Sequence, residues 1–204
     1  MLNNRYRQAS YETSAHTLAQ LMPDSGREVA FAGRSNSGKS SVINALTGQK
    51  RLAKISKTPG RTQLINFFPV NEEIRLVDLP GYGYAKVPEK VQAHWAETLG
   101  EYFQTRRCLA GVVLITDIRR GLTEFDEQML SWCESAGLAV HILLNKSDKL
   151  AFGASRKALQ RAQNQFGSSA HSVQLFSVLK KTGVDELVQA LDAWMLDEKK
   201  KAPA

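Results

Sequence analysis

Residues 33–40, GRSNSGKS, fit the pattern GxxxxGK(S/T) between a β-prone run that ends in glycine and a run of helical spacing. These residue types in this order are suited to holding phosphates. Gly33 and Gly38 let the backbone curl close to an anion. The N–H groups of Arg34, Ser35, Asn36, Ser37 and Ser41 turn toward it at the start of a helix, Lys39 reaches the outer phosphates, and the Ser40 hydroxyl can ligate Mg²⁺. The segment selects a nucleotide without choosing between ATP and GTP.

Base identity comes from NKSD at 145–148, directly after the apolar run HILL. Guanine presents an N1–H and an exocyclic amine on one edge and O6 and N7 acceptors on another, so a carboxylate can take two hydrogen bonds that adenine cannot offer. Asp148 is the candidate carboxylate. Asn145 would bond N7 and tie back to the phosphate loop, the Lys146 stem would lie along the base plane, and Ser147 completes the loop.

DLPG at 78–81 ends another β-prone run, which delivers Asp78 to the carboxyl end of a sheet, where it can hold Mg²⁺ through water. Leu79 and Pro80 lead to Gly81, whose N–H can swing toward a γ-phosphate. Upstream, PGRTQ carries Gly60, Arg61 and Thr62, with Thr62 set to close over metal and terminal phosphate or to serve only as a turn residue. In SVLK, Ser177 and the N–H groups of Val178 and Leu179 could meet guanine O6. His141, inside an apolar strand, reads as a core histidine. Tyr82 and Tyr84 read equally as residues that gate the loop or dock a partner, or as packing.

The elements that must position these groups alternate β-prone and helical runs, the pattern of a mostly parallel α/β sheet covered on both faces. Strands are predicted at 27–33, 109–117, 138–146 and 172–177, and helices at 37–48, 88–105, 123–136, 154–166 and from about 184. TQLINFFPV and EIRLVDLPG flank Asn71 and Glu72 as an antiparallel hairpin at one edge, giving six strands with one antiparallel edge strand. Val184, Leu187, Val188, Leu191, Trp194 and Met195 form a core-facing stripe in the last helix.

At 204 residues the chain is one domain by the rule of about 150 residues per domain. We divide it into an N-terminal extension packed on the domain (1–26), the nucleotide-binding domain (27–196) and a disordered basic tail (197–204). With 43% hydrophobic and 23% charged residues it is neither disordered nor fibrous. No apolar run has the length of a membrane span and the N-terminus has no signal-peptide core, so a cytoplasmic protein is expected. Cys108 and Cys133, far apart and without CxxC spacing, read as reduced core residues. The net charge of +7 suits a polyanionic partner or a merely basic surface. Lys50, Arg51, Lys54, Lys57 and Arg61 lie between the phosphate-loop helix and Thr62 with no acid among them.

The five motifs, in the chain order GRSNSGKS, Thr62, DLPG, NKSD and SVLK, make residues 27 to about 196 resemble the translation-factor-related GTPases. EVAFAGRSNSGKSS, KTPGRTQLINFF and LVDLPGYGYAKV resemble more narrowly the EngB (YihA/YsxC) family of bacterial ribosome-assembly GTPases, DLPGYGYA being the most specific. NKSD stands where that family more often has TKxD, and SVLK replaces the commoner Ser-Ser or Ser-Ala form. The resemblance implies a three-layer P-loop GTPase fold, GTP/GDP with Mg²⁺ on Ser40, Thr62 and Asp78, and a monomeric, membrane-free switch. Its expected partner is the large ribosomal subunit precursor, rRNA and ribosomal proteins together.

Lys39, Thr62 and Asn36 are the residues expected to act on the reacting phosphate. Tyr82 stands where many GTPases carry a water-orienting glutamine, so slow intrinsic turnover is expected. Related GTPases with Asn at position 36 hold K⁺ between the phosphates; a left-handed turn residue is the other reading of Asn36. The rival function is a GTP-regulated protein-binding switch in cell division (septum formation) that does not touch RNA. An ATPase or nucleotide kinase is disfavoured by NKSD and by the lack of a basic lid.

Overall fold

LAGVVLITD is apolar almost without a break, as a parallel strand covered on both faces must be. In the structure, a computed structural model that describes residues 4–54, 64–83, 89–166 and 171–196 (side chains between 89 and 93 excepted), it forms β5, Leu109–Asp117, buried at all nine positions. The other strands are β1 Thr13–Ala15, β2 Arg27–Gly33, β3 Ile65–Pro69, β4 Ile74–Asp78, β6 Ala139–Asn145 and β7 His171–Leu175. Their order is β1-β3-β4-β2-β5-β6-β7; β3 runs antiparallel to both its neighbours and the remaining pairs are parallel.

The helices are α1 Lys39–Thr47, α2 Glu89–Thr105, α3 Glu124–Ser135, α4 Phe152–Phe166 and α5 Val184–Met195. They form the two outer layers. Val29, Phe31, Val113 and Ile115 pack with Ile43, Leu46, Leu187 and Leu191 on one face. Their strand neighbours Ala30, Ala32, Val112 and Leu114 pack with Leu99, Phe103, Met129 and Leu130 on the other, following the period-two alternation of strands.

The predicted mostly parallel sheet with an antiparallel edge is present, but with seven strands rather than six. The seventh, β1, comes from residues 13–15 and covers β3, pairing Thr13 with Phe67 and Ala15 with Ile65. Its residues, TSA, show no apolar alternation, because the pairing uses main-chain groups that leave no mark on side-chain type. Ahead of it, Tyr6 is fully buried and donates from its hydroxyl to Asp192 Oδ1 at 2.9 Å, and Asn4 Nδ2 donates to the Leu46 carbonyl at 2.6 Å. Residues 4–15 thus run along α1 and then along the sheet edge. The tail at 197–204 lies outside the described residues.

At the amino end of the sheet, Glu28 is fully buried between Arg106, which donates to both its carboxylate oxygens at 2.9 and 2.5 Å, and Arg75 at 3.1 Å. Removing one partner of such a cluster leaves uncompensated buried charge. Glu28→Ala therefore lowers unfolding free energy in urea by about 3–5 kcal/mol; a loss below about 1 kcal/mol would mean that the two arginines find other acceptors.

Candidate functional site

A parallel sheet offers its ligands a crevice beyond the carboxyl ends of its strands. Gly33, Asp78, Asp117 and Asn145 are the last residues of β2, β4, β5 and β6, so all four arrive at that edge. The turn after Gly33 is built on special backbone: Asn36 has φ 65° and Gly38 φ 100°. A Cβ at Gly38 would lie 2.4 Å from Asn145 Nδ2, which leaves glycine as the residue that fits. The turn delivers Lys39 and Ser40 to the first turn of α1, whose unpaired N–H groups face the crevice.

A cavity of about 570 Å³ opens there, lined by Arg34–Asn36 and Gly38–Ser41 of the phosphate loop and by Asp78–Gly81. Arg51, Lys54, Asn66 and Phe68 complete it together with Tyr11 and Ser14 of the N-terminal segment. Lys39 Nζ is ion-paired with Asp78, and both side chains are nearly buried. No cluster of three or more His, Cys, Asp or Glu that could hold a metal occurs among the described residues. Ser40 and Asp78 as the protein oxygens suit a hard cation that takes its remaining ligands from phosphate and water, as Mg²⁺ does.

The NKSD loop is fixed to the phosphate loop at two points. Asn145 Nδ2 donates to the Ser37 carbonyl at 2.8 Å in a buried contact, and Lys146 Nζ donates to the Asn36 carbonyl at 2.6 Å. Lys146 Nζ also reaches Asp117 Oδ2 at 3.0 Å. Asp117 receives both Arg119 Nε (2.9 Å) and Arg119 Nη2 (2.7 Å), and these bonds, with help from Lys146, hold its carboxyl well below the usual range. Asp117 and Arg119 escaped the sequence reading. The signal available was an acid closing an apolar strand, the same signal that singled out Asp78.

Ser177 meets Asp148 directly: its Oγ donates to Asp148 Oδ1 at 2.6 Å and accepts from the Lys180 N–H at 3.1 Å. That first bond is the main reason the Asp148 carboxyl sits below its ordinary pKa. The Ser147 N–H donates to the Phe176 carbonyl at 3.0 Å, tying the NKSD and SVLK loops together. Val178 is half-buried, while Leu179 stands 72% exposed beside them.

Tyr82 is held from two sides. Its carbonyl accepts from the Ser35 N–H at 2.8 Å, its hydroxyl donates to Asp126, and its ring lies 4.4 Å from that of Phe125. Asp126 belongs to the capping box of α3 with Thr123. This packing binds the segment after Gly81 to the phosphate loop and to α3. His141 is buried and satisfied, Nε2 facing Gln174 Oε1 and Nδ1 facing Ser172 Oγ, both at 2.6 Å, and burial lowers its pKa. Cys108 and Cys133 are free and buried, the Cys133 thiol pushed up to about 12 by burial. Gly60, Arg61 and Thr62, and with them Lys57 and Tyr84, lie outside the described residues. Among the described residues no helix is long and apolar enough to cross a membrane.

Residues 28–146 match the family model described as 50S ribosome-binding GTPase. The chain is 56% identical over 196 residues to the "Probable GTP-binding protein EngB" of Nitrosococcus oceani, covering 95% of this chain and 98% of that one. The like-named protein of Coxiella burnetii is 51% identical over 195 residues, 95% of each chain. Among solved structures, the crystal structure of a probable GTP-binding protein engB superposes with a TM-score of 0.69 at 20% identity, over 84% of this chain and 100% of that one. Era in complex with MgGDPNP and a 16S ribosomal RNA segment superposes with a TM-score of 0.63 at 21% identity, over 83% and 57% of the two chains. Identities this low speak for the fold. A phosphate-loop sequence and an NKSD loop joined at one sheet edge, with these sequence relatives, show that the chain is a GTPase and belongs to the EngB family of GTP-binding proteins.

Proposed function

We propose that this GTPase works in the cytoplasm as a nucleotide-dependent switch in assembly of the large ribosomal subunit, engaging the particle in the GTP state and leaving it after hydrolysis. The observation that carries this reading is the set of exposed cations Lys50, Arg51 and Lys54 that follows α1, of which Arg51 and Lys54 line the nucleotide cavity, so that charges suited to an RNA backbone adjoin that cavity. The family model's description and the Era fold neighbour point the same way. Co-sedimentation with large-subunit particles in the GTP-analogue and GDP states tests it. Equal binding in both states, or none in either, overturns it, and capture of a cell-division protein in the GTP state alone would favour the protein-binding alternative.

In this reading the chain does little covalent chemistry, because phosphoryl transfer to water needs alignment and charge compensation above all. Lys39 leaves Asp78 to meet the β- and γ-phosphates, and the N–H groups of residues 35–41 hold the β-phosphate. Gly81 and Thr62 close on the terminal phosphate, and Asp148 with Asn145 fixes the base. Leu79 and Pro80 carry Asp78 to Gly81, Gly60 and Arg61 carry Thr62, and Lys146, Ser147, Ser177, Val178 and Leu179 surround the guanine. Mg²⁺ held by Ser40, Thr62 and Asp78, and K⁺ beside Asn36, would offset phosphate charge.

Asn36 fits such a role: it is exposed at the cavity mouth in a left-handed turn, with its carbonyl held by Lys146. Tyr82, packed on Phe125, offers no amide to orient water. Replacing Na⁺ by K⁺ therefore raises turnover severalfold in steady-state phosphate release, and Asn36→Ala removes the difference. Identical rates in the two salts would leave Asn36 as a turn residue only.

A further inference from the structure

The N-terminal strand β1 does more than extend the sheet. Ser14 pairs with Asn66 across β1 and β3, and Asn66 pairs with Asp78 across β3 and β4. Residues directly opposite in antiparallel strands share a face, with Cβ atoms about 4.5–5.5 Å apart. Ser14, Asn66 and Asp78 therefore form one polar row across three strands, and all three line the nucleotide cavity.

The hydrogen bonds along this row have a direction. Ser14 Oγ donates to Asn66 Oδ1 at 2.7 Å, which uses its one proton. The contact of 2.9 Å between Tyr11 Oη and Ser14 Oγ must then run from tyrosine to serine. With Oδ1 committed to Ser14, the Nδ2 donors of Asn66 make no hydrogen bond to a described residue, and Asp78 is the next residue of the row. Asp78 is buried there with only 6% exposure, one carboxylate oxygen engaged by Lys39, and a buried carboxylate needs donors for its remaining lone pairs.

We propose that Tyr11, Ser14 and Asn66 are positioning residues for Asp78, with Asn66 Nδ2 taking over as donor to the Asp78 carboxylate once Lys39 turns from it to the phosphates, and the N-terminal strand fixing the direction of that donor. Through Asp78 the row sets how tightly Mg²⁺ is retained with nucleotide. The inference rests on the assignment of Asp78 to Mg²⁺ made above. Groups that orient a metal-bound carboxylate typically change metal affinity about 10–100-fold when removed.

The test is the Mg²⁺ concentration that half-suppresses release of a fluorescent GDP analogue, measured for the full chain alongside its melting temperature. Asn66→Ala and Ser14→Ala raise that concentration about tenfold, a factor that exceeds any loss of GDP affinity these cavity-lining residues cause in excess Mg²⁺; an equal loss in the two measurements would overturn the positioning role. Asn66→Asp keeps the acceptor for Ser14 but sets a second carboxylate against Asp78, so its Mg²⁺ dependence differs from that of Asn66→Ala. Asp78→Asn separates the two levels of the argument. If it leaves the Mg²⁺ requirement unmoved, the assignment of Asp78 falls; if it moves the requirement and neither Asn66→Ala nor Ser14→Ala does, the positioning row falls.

Discussion

Asp148→Asn lowers affinity for GTP by about 10⁴-fold and creates affinity for xanthosine triphosphate, because a site built around a hydrogen-bonding group rejects a ligand that leaves it unpaired by about this factor. In the proposed site the carboxylate would accept from two guanine donors; an amide must present one donor of its own to that edge, which xanthine can accept and guanine cannot. Ser177 sharpens the expectation. Its 2.6 Å hydrogen bond orients Oδ1 and lowers the carboxyl pKa, so Asp148 is ionised across the neutral range. A carboxyl with a depressed pKa keeps its charged form as pH falls until that lowered value is reached. GTP binding therefore survives acidification further than an ordinary carboxylate would allow, and Ser177→Ala moves the acid loss to higher pH. Titration of fluorescent guanosine and xanthosine nucleotides reads both effects, and unchanged GTP affinity in Asp148→Asn would remove Asp148 from the base site.

The second large effect is one of ionic strength. Binding of the GTP-state protein to large-subunit particles falls about 10³-fold or more between about 50 and 200 mM salt if six or more phosphates are contacted, since each contact releases a counterion. Neutralising Lys50, Arg51, Lys54 and Lys57 together flattens the slope by about three to four contacts. Arg51 and Lys54 line the nucleotide cavity, so that fourfold variant loses nucleotide affinity as well. Neutralising Lys50 alone, which is exposed and does not line the cavity, separates the contributions: it reduces the salt slope by about one contact and leaves GTP affinity unchanged. Co-sedimentation over a salt series decides it, and an unchanged slope in the fourfold variant would show that the segment does not meet RNA.

Strand and helix positions from Arg27 onward were legible because each element carries either a short continuous apolar run, as β5 does, or an apolar stripe at helical spacing, as Leu187, Val188 and Leu191 of α5 do. The end of α1 was equally legible at Gly48, while its start falls at Lys39 rather than at residue 37; Gly38 and Gly48, which bound it, both have left-handed backbone that glycine adopts without strain. Strand β1 was hidden because its partner supplies backbone groups and its three residues carry no pattern. Tyr82 stood between gating and packing until the tertiary structure set its ring on Phe125 and its hydroxyl on Asp126.

The sequence alone determined where each loop sits, since a strand, a tight turn and a helix start carry the phosphate loop within one contiguous stretch, and NKSD and DLPG each begin at the end of their own strand. Only the tertiary structure decided how those loops bear on one another. Ser177 reaches Asp148, Lys146 reaches both Asn36 and Asp117, and Ser14 reaches Asn66 across large separations in the chain. Such pairs leave no spacing in the sequence to be read, because the distance between them is set by strand order in the sheet rather than by the covalent chain.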